Sequence, residues 1–525
     1  MTPPVRGARR SDHRQAIATD EPFDLLVIGG GASGAGTALD AVSRGLRVAL
    51  VERDDLSAGT SSRSTKLIHG GVRYLEKAVK QLDRSQFALV RDALHERALL
   101  IRNAPHLCHA LPLVTPLYDW VQVPYVMTGL KLYDVLAGRS NLHSSRFVNA
   151  REAKRRFPQL KAQGLRGGVL YYDGQFDDAR MNVAIALSAA ERGAVVLTHA
   201  EVTGLHHEGG RLAGATVRDR LSGERLEVRA RALVNAAGPY ADAIRRFDDP
   251  AAEPMLTASS GVHVVLDERF APPDTGLLIP KTEDGRVLFL LPWLGSTLVG
   301  TTDQPAPVVD DPQATEGEIE YILRHLERYF DVPVVRADVK AAWSGLRPLV
   351  SDPKASDTAR LSRDHVVHVS ETGLVTIAGG KWTTYRRMAA DTVEAAVKAG
   401  RLDDVRPSAT VDLKLVGAEH FDADGAAGLA ARGYDADVAQ YLHHAYGDRA
   451  AAVAELAEAG LAARLAPGYP FLEAEVVYAQ RFELAVTAQD VLHRRTRLAF
   501  LDAAAAAAAT PRVEALLAEA APSAA

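Results

Sequence analysis

The sequence predicts an α/β protein: a parallel sheet flanked by helices, an antiparallel sheet inserted into it, and a mostly helical C-terminal domain. Three observations carry this prediction. Residues 23–53, FDLLVIGGGASGAGTALDAVSRGLRVALVER, read as strand, glycine turn, helix and strand. Residues 261–303 hold several short strand candidates in close succession, GVHVVLD, GLLIP, RVLFLLPW and STLVGTTD. After about residue 405 the composition turns alanine-rich.

In chain order, residues 1–21 are polar and Arg-containing without the apolar core of a signal peptide, and are expected to be a disordered leader. Residues 25–28 form an apolar run suited to a buried parallel strand. Ala38, Leu39, Ala41 and Val42 then give a helical face that closes near Gly45, and Val48–Val51 is the second strand. Leu82, Phe87, Leu89, Val90, Leu94 and Leu99 recur at near-helical spacing, predicting a helix over 81–103. Residues 177–193 predict another, closed by Gly193. A β-meander should follow and return to a strand at 232–236. GLVTIAGGKWTTYRRMAADTVEAAV, residues 373–397, returns to strand, turn and helix. Residues 22–400 are therefore expected to hold a discontinuous nucleotide domain and an inserted substrate-facing sheet, with a helical domain over 405–525. FDADG at 421–425 lacks the remaining oxygen ligands of a calcium loop, so no metal is expected.

Composition narrows the function classes. The chain has 525 residues, 47% hydrophobic and 24% charged, as in an ordinary globular enzyme. Its net charge of −5 argues against nucleic acid as a partner, because no basic excess exists to neutralise phosphates. A single cysteine, Cys108, excludes an intrachain disulfide and a cysteine metal cluster, and fits a reducing cytoplasm. No window reaches the ~18 uninterrupted apolar residues of a membrane span. The expected location is the cytoplasm, with peripheral contact at the cytoplasmic face of the plasma membrane. A homo-oligomer is left open.

The chemistry concentrates in a few motifs. Gly29, Gly31 and Gly34 form GxGxxG between strand and helix. The first allows the tight turn, the second a pyrophosphate approach, and the third close helix packing. Glu52 ends the next strand where a carboxylate would bind ribose hydroxyls. The hydroxyl-rich DDLSAGTSSRSTK that follows can run along an extended cofactor. A second glycine pair, Gly379 and Gly380, precedes another helix. Two such sites far apart in sequence favour FAD over NAD and a Rossmann-like FAD-binding domain. Lys66, His69, Arg73, Arg347, Arg363 and Lys381 supply cations. Each alone would ordinarily be a solvated surface charge, but the set suits a doubly charged phosphate ester. His69 could instead be a core histidine, His263 lies in an alternating strand pattern and could face either side, and Tyr74, Tyr385, Trp343 and Trp382 could be packing residues.

These stretches resemble the FAD-dependent, respiratory glycerol-3-phosphate dehydrogenases. The resemblance rests on the fingerprint, TSSRSTKLIHGGVRYLE, DDARMNVAIA, LVNAAGPYAD, FLLPWLGSTLVGTTD, WSGLRPL, GGKWTTYRRMA and residues 471–502. It implies oxidation of sn-glycerol 3-phosphate to dihydroxyacetone phosphate, with electrons passing through FAD to a membrane quinone. It places His69, Lys381, Arg73 and Tyr74 at the reacting centre, and Arg73, Arg347, Arg363, Lys381 and His263 around the substrate. Gly29, Gly31, Gly34, Glu52, Thr60, Ser61, Thr65, Lys66, Leu67, Gly238, Gly379, Gly380, Trp382 and Thr383 line the cofactor path. Trp382 stands where many relatives have Leu, and Thr65 where Ser is common. Gly70 and Gly71 would let the chain pass close to the flavin. Either His69 or a neutral Lys381 could take the hydroxyl proton.

Other readings are an oxygen-reducing glycerol-phosphate oxidase, an amine or amino-acid oxidase, an RNA-modifying flavoprotein and a scaffold that merely retains FAD. An amino-acid oxidase needs one carboxylate clamp rather than several cations. The net charge speaks against RNA. The segment 111–136, LPLVTPLYDWVQVPYVMTGLKLYDVL, mixes aromatic, apolar and lysine residues as an interfacial segment does, though a buried helix and loop fit it equally well.

Overall fold

The apolar run Phe23–Ile28 becomes the central strand of the first sheet because both its faces are covered. The sheet order is Val195–Leu197, Val48–Val51, Phe23–Ile28, Arg225–Asn235, Leu374–Gly379, His365–Val369. The first five are mutually parallel and the last is antiparallel. Strands from three distant parts of the chain thus share one carboxyl edge. The computed structural model describes residues 9–71, 84–280, 282–351 and 364–520. Helices Ala32–Ser43, Asp178–Ala190 and Tyr385–Gly400 cover one face around a common apolar core. The meander appears as Ala200–Glu208, Arg211–Asp219 and Arg225–Asn235, paired antiparallel.

The second sheet has ten strands and is larger than residues 261–303 suggested. Leu256–Asp267 pairs along its length with Val339–Val350, and Ser296–Gly300, Leu288–Trp293 and Gly276–Ile279 continue outward. Two ten-residue strands, Cys108–Leu117 and Gly167–Phe176, complete it. The sheet is mixed, not purely antiparallel: Gly276–Ile279 runs parallel to Cys108–Leu117, which a long crossover permits and a hairpin does not. Its edge is the short strand Leu67–Ile68, so the hydroxyl-rich loop physically joins the two sheets.

Part of the expected disordered leader is ordered. Arg10–Ile17 is a helix held on the sheet edge by an Arg10–Asp219 ion pair at 2.8 Å, by the Val196 amide donating to His13 Nδ1, and by the buried Ile17. The C-terminal domain is helical as expected, and the alanine run belongs to the 18-residue helix Ala503–Ala520 packed on Glu473–Phe482. Its apolar core continues into Trp293 and Trp343 of the second sheet. Among the described residues no helix is long and apolar enough to cross a membrane.

Cys108 is buried, and burial pushes its thiol above the usual range. Native protein should therefore react with a thiol reagent at pH 8 far more slowly than protein in denaturant. Equal labelling in the two states would contradict this placement.

Candidate active site

The site begins at the shared carboxyl edge. Gly29 is left-handed at φ +112°, and a Cβ there would meet the Ala236 carbonyl oxygen at 2.6 Å. A Cβ on Gly34 would lie 1.8 Å from the Gly29 carbonyl oxygen, so only glycine lets the helix pack on the turn. Helix Ala32–Ser43 has glycine at its N-cap and no acidic residue in its first turn, leaving its positive end available to an anion. The Ala32 amide donates to Ser61 Oγ at 2.9 Å, drawing the hydroxyl-rich loop across this helix start. Glu52 accepts from the Gly30 and Asp54 amides at 2.5 and 2.9 Å. Burial pushes its carboxyl up, against these bonds, which favour the charged form.

The second glycine turn faces the same place. Gly379 and Gly380 are both left-handed, at φ +74° and +88°. Helix Tyr385–Gly400 lies against the fingerprint helix, with Gly36 leaving room for Tyr385. Trp382 Nε1 donates to the Ser61 carbonyl at 2.9 Å, and Thr383 Oγ1 accepts from the His69 amide at 3.2 Å. The two predicted cofactor segments are therefore bonded to each other. Beside them Gly59 and Gly238 (φ +57°) face open space, since nothing lies within 4 Å of a Cβ built on either. Two helix starts free of acidic side chains, with open backbone between them, fit an extended dinucleotide with a phosphate bridge. FAD would lie along Gly31, Ser61 and Gly238 toward Gly380 and Trp382.

On the second sheet, Gly261 and Gly345 are paired across adjacent strands. A Cβ on Gly261 would lie 2.2 Å from Arg347 Nη2, so this glycine makes room for the guanidinium. Arg347 donates to the Ser260 and Thr302 carbonyls, Thr301 Oγ1 and Asp303 Oδ1 at 3.0–3.2 Å. His263 is buried on the same face, stacked on Trp343 at 4.3 Å and sharing a 2.9 Å hydrogen bond with Thr65. Burial, with Lys66 and Arg347 nearby, holds its imidazole neutral. Lys381 leads directly into the Trp382–Thr384 turn, and the half-buried His69 is tied to that turn through Thr383. Thr60 Oγ1 donates to the Leu346 carbonyl at 2.5 Å, and Leu67 is buried in the edge strand. Arg73, Tyr74 and Arg363 lie outside the described residues.

Two sequence expectations change. Lys66 was expected along the cofactor, but its ammonium is fully buried, donating to Asp178 at 2.7 Å and the Ser62 carbonyl at 2.8 Å. Burial lowers its pKa to about 7 against the pull of Asp178. The reason for Gly70 also differs. Its missing Cβ would strike Leu94 and Tyr133 within 2.7–2.9 Å, and its amide donates to Tyr133 Oη at 2.7 Å. Gly70 thus serves packing, and Gly71 supplies a left-handed φ of +90°. Tyr133 in turn donates to Asp173, which also accepts from Arg97. Sequence reasoning missed this trio and the Lys66–Asp178 pair, because the partners stand 40 to 112 positions apart. The acidic pair Asp177–Asp178 opening DDARMNVAIA was the available signal.

Residues 24–386 match the family described as FAD dependent oxidoreductase, the class of protein that this sheet edge and its two helix starts define. Residues 408–522 match the C-terminal domain of alpha-glycerophosphate oxidase, so the alanine-rich tail is part of that domain. The chain is 51% identical to a mitochondrial glycerol-3-phosphate dehydrogenase of Arabidopsis thaliana, over 98% of this chain and 85% of the relative. It is 49% identical to the human mitochondrial enzyme of that name, over 94% of this chain and 70% of the relative. The crystal structure of the Bacillus halodurans glycerol-3-phosphate dehydrogenase complexed with FAD superposes with a TM-score of 0.78 at 30% identity, covering 97% of this chain and 93% of that one. The chain belongs to the FAD-dependent glycerol-3-phosphate dehydrogenase family. FAD is its cofactor. The expected cytoplasmic location is overturned by the Arabidopsis and human relatives, which are named as mitochondrial proteins.

Proposed function

We propose that this chain oxidises sn-glycerol 3-phosphate to dihydroxyacetone phosphate and passes the electrons to a membrane quinone. The observation that carries the substrate reading is the guanidinium of Arg347, seated in the space that Gly261 leaves on the same strand face as the neutral His263. Bound FAD supplies the two-electron acceptor. Arg347, with Arg73 and Arg363, holds the phosphate through charge-assisted bonds. Lys381 and His69, joined through the Thr383 turn, flank the alcohol. One of them takes the hydroxyl proton, and the remaining positive charge favours the developing alkoxide. Tyr74 follows His69 by five positions in the sequence.

Arg347→Gln should lower kcat/KM for glycerol 3-phosphate by roughly ten- to a hundred-fold, about 1.5–3 kcal/mol. Glycerol should show a much smaller penalty. An equal loss with both would assign Arg347 to holding the 301–303 loop.

For the acceptor, the surface around helix Gln122–Ala137 supports the quinone reading. The expected interfacial segment divides. Cys108–Leu117 is mostly buried strand, while Trp120, Val121, Tyr125 and Val135 are 58%, 79%, 56% and 73% exposed. Lys131 and Arg139 are exposed beside them. Aromatic and apolar residues with flanking cations suit the surface of an anionic bilayer. With glycerol 3-phosphate as donor, soluble quinone analogues should turn over much faster than oxygen, with little peroxide. Stoichiometric peroxide at full rate would make the protein an oxidase.

A further inference from the structure

The hydroxyl-rich loop is gripped at both ends by the C-terminal domain. At one end Asp55 accepts from Arg494 Nε at 2.5 Å and from Arg495 Nη1 and Nη2 at 2.7 and 3.1 Å. At the other end the Ser62 carbonyl accepts from Arg497 Nη2 at 2.7 Å and Lys66 Nζ at 2.8 Å. Asp178 closes this end. Its Oδ2 accepts from Lys66 and from the amide and hydroxyl of Ser64, and its Oδ1 from Arg497 at 3.3 Å. Asp55, Lys66, Asp178, Arg495 and Arg497 are all fully buried. Between the two ends the loop touches the cofactor path, through Ser61 at the fingerprint helix and through Gly59, which faces open space.

Stability alone does not call for such an arrangement. Well-packed apolar residues often replace buried ion pairs without loss. What the charges add is position, because each bond fixes a direction as well as a distance. Arg497 itself sits at a left-handed φ of +69°, unfavourable for a residue with a side chain, and its guanidinium is anchored by His493, Ser62 and Asp178.

We propose that residues 490–497 of the C-terminal domain are a latch on the cofactor loop, with Arg497 and Asp178 as positioning residues that set how tightly FAD is retained. They act through the backbone of residues 55–66 and have no part in the oxidation itself. FAD can leave only when this loop moves from the fingerprint helix, and the loop moves only when the latch opens.

The test is FAD release followed by flavin fluorescence, together with hydrogen exchange. Arg497→Gln should fold with unchanged helix content and release FAD at least tenfold faster. Its melting temperature should fall more in the holoenzyme than in the apoprotein. Release within twofold of the wild type, or equal losses in holo and apo forms, would overturn the latch. Should the variant fail to fold, the wild-type protein decides. Stripping FAD should quicken amide exchange at both 59–66 and 490–497, whereas unchanged exchange at 490–497 would overturn the proposal.

Discussion

Gly34→Ala is expected to yield protein that binds no FAD. The added methyl would lie 1.8 Å from the Gly29 carbonyl oxygen, which is backbone and cannot swing aside. Gly29 in turn is held by the Val51 carbonyl, which accepts from its amide at 2.8 Å, and by its contact with Ala236. Relief must come from moving the helix start away from the strand edge, where the cofactor phosphates belong. Such a clash belongs with the exceptional substitutions that cost more than about 4 kcal/mol. Flavin absorbance after purification reads the result, and a yellow variant with one FAD per chain would refute it. Gly317→Ala is the control. It lies in helix Glu316–Tyr329 with nothing within 4 Å of a Cβ, so the change should be neutral or stabilise by about 0.5–1 kcal/mol.

Asp173→Ala should be nearly as severe for a different reason. Asp173 accepts from Arg97 Nη1 at 2.6 Å and from Tyr133 Oη at 2.8 Å, and all three are buried. Removing the carboxylate strands a guanidinium away from water, which costs about 3–5 kcal/mol. It also frees Tyr133, which receives the Gly70 amide beside His69. The apparent melting temperature should fall by several degrees or more, and the remaining folded enzyme should show reduced kcat. Tyr133→Phe separates the two effects. It keeps the Asp173–Arg97 pair, so stability should fall by only about 1–3 kcal/mol for the unsatisfied Gly70 amide. A melting temperature unchanged in Asp173→Ala would show that water replaces the carboxylate.

What the sequence made legible was local. The glycine fingerprint, Glu52 and the GGK turn each carry their reason within a few residues, and the structure brings all three to one sheet edge. The meander and the helix over 81–103, found as Arg84–Asn103, follow from periodicity. Long-range pairing was not legible. Cys108–Leu117 has two prolines and little alternation, so its pairing with Gly167–Phe176 and Gly276–Ile279 is what defines it as a strand. Lys66 looked like a ligand-binding cation because its environment in the sequence is hydroxyls and glycines. The carboxylate that claims it stands 112 positions away. Gly70 looked like a ligand approach because nothing in the sequence says that Leu94 and Tyr133 press on it.

The order in which the parallel sheet is threaded has a consequence for biosynthesis. A ribosome completes the fingerprint strand, turn and helix by residue 43, yet the strand that lies beyond its neighbour, Leu374–Gly379, emerges more than 300 residues later. The arginines that meet Asp55 and Ser62 come later still, near residue 497. At 5–20 residues per second, a span of about 430 residues takes roughly 20–90 s to translate. Through the later part of that interval the nascent chain carries six of the sheet's eight strands and an unfinished cradle. Flavin loading should therefore come late, after residue 497 has been made, and messages truncated before the last helices should produce chains destined for quality control, not partially active enzyme.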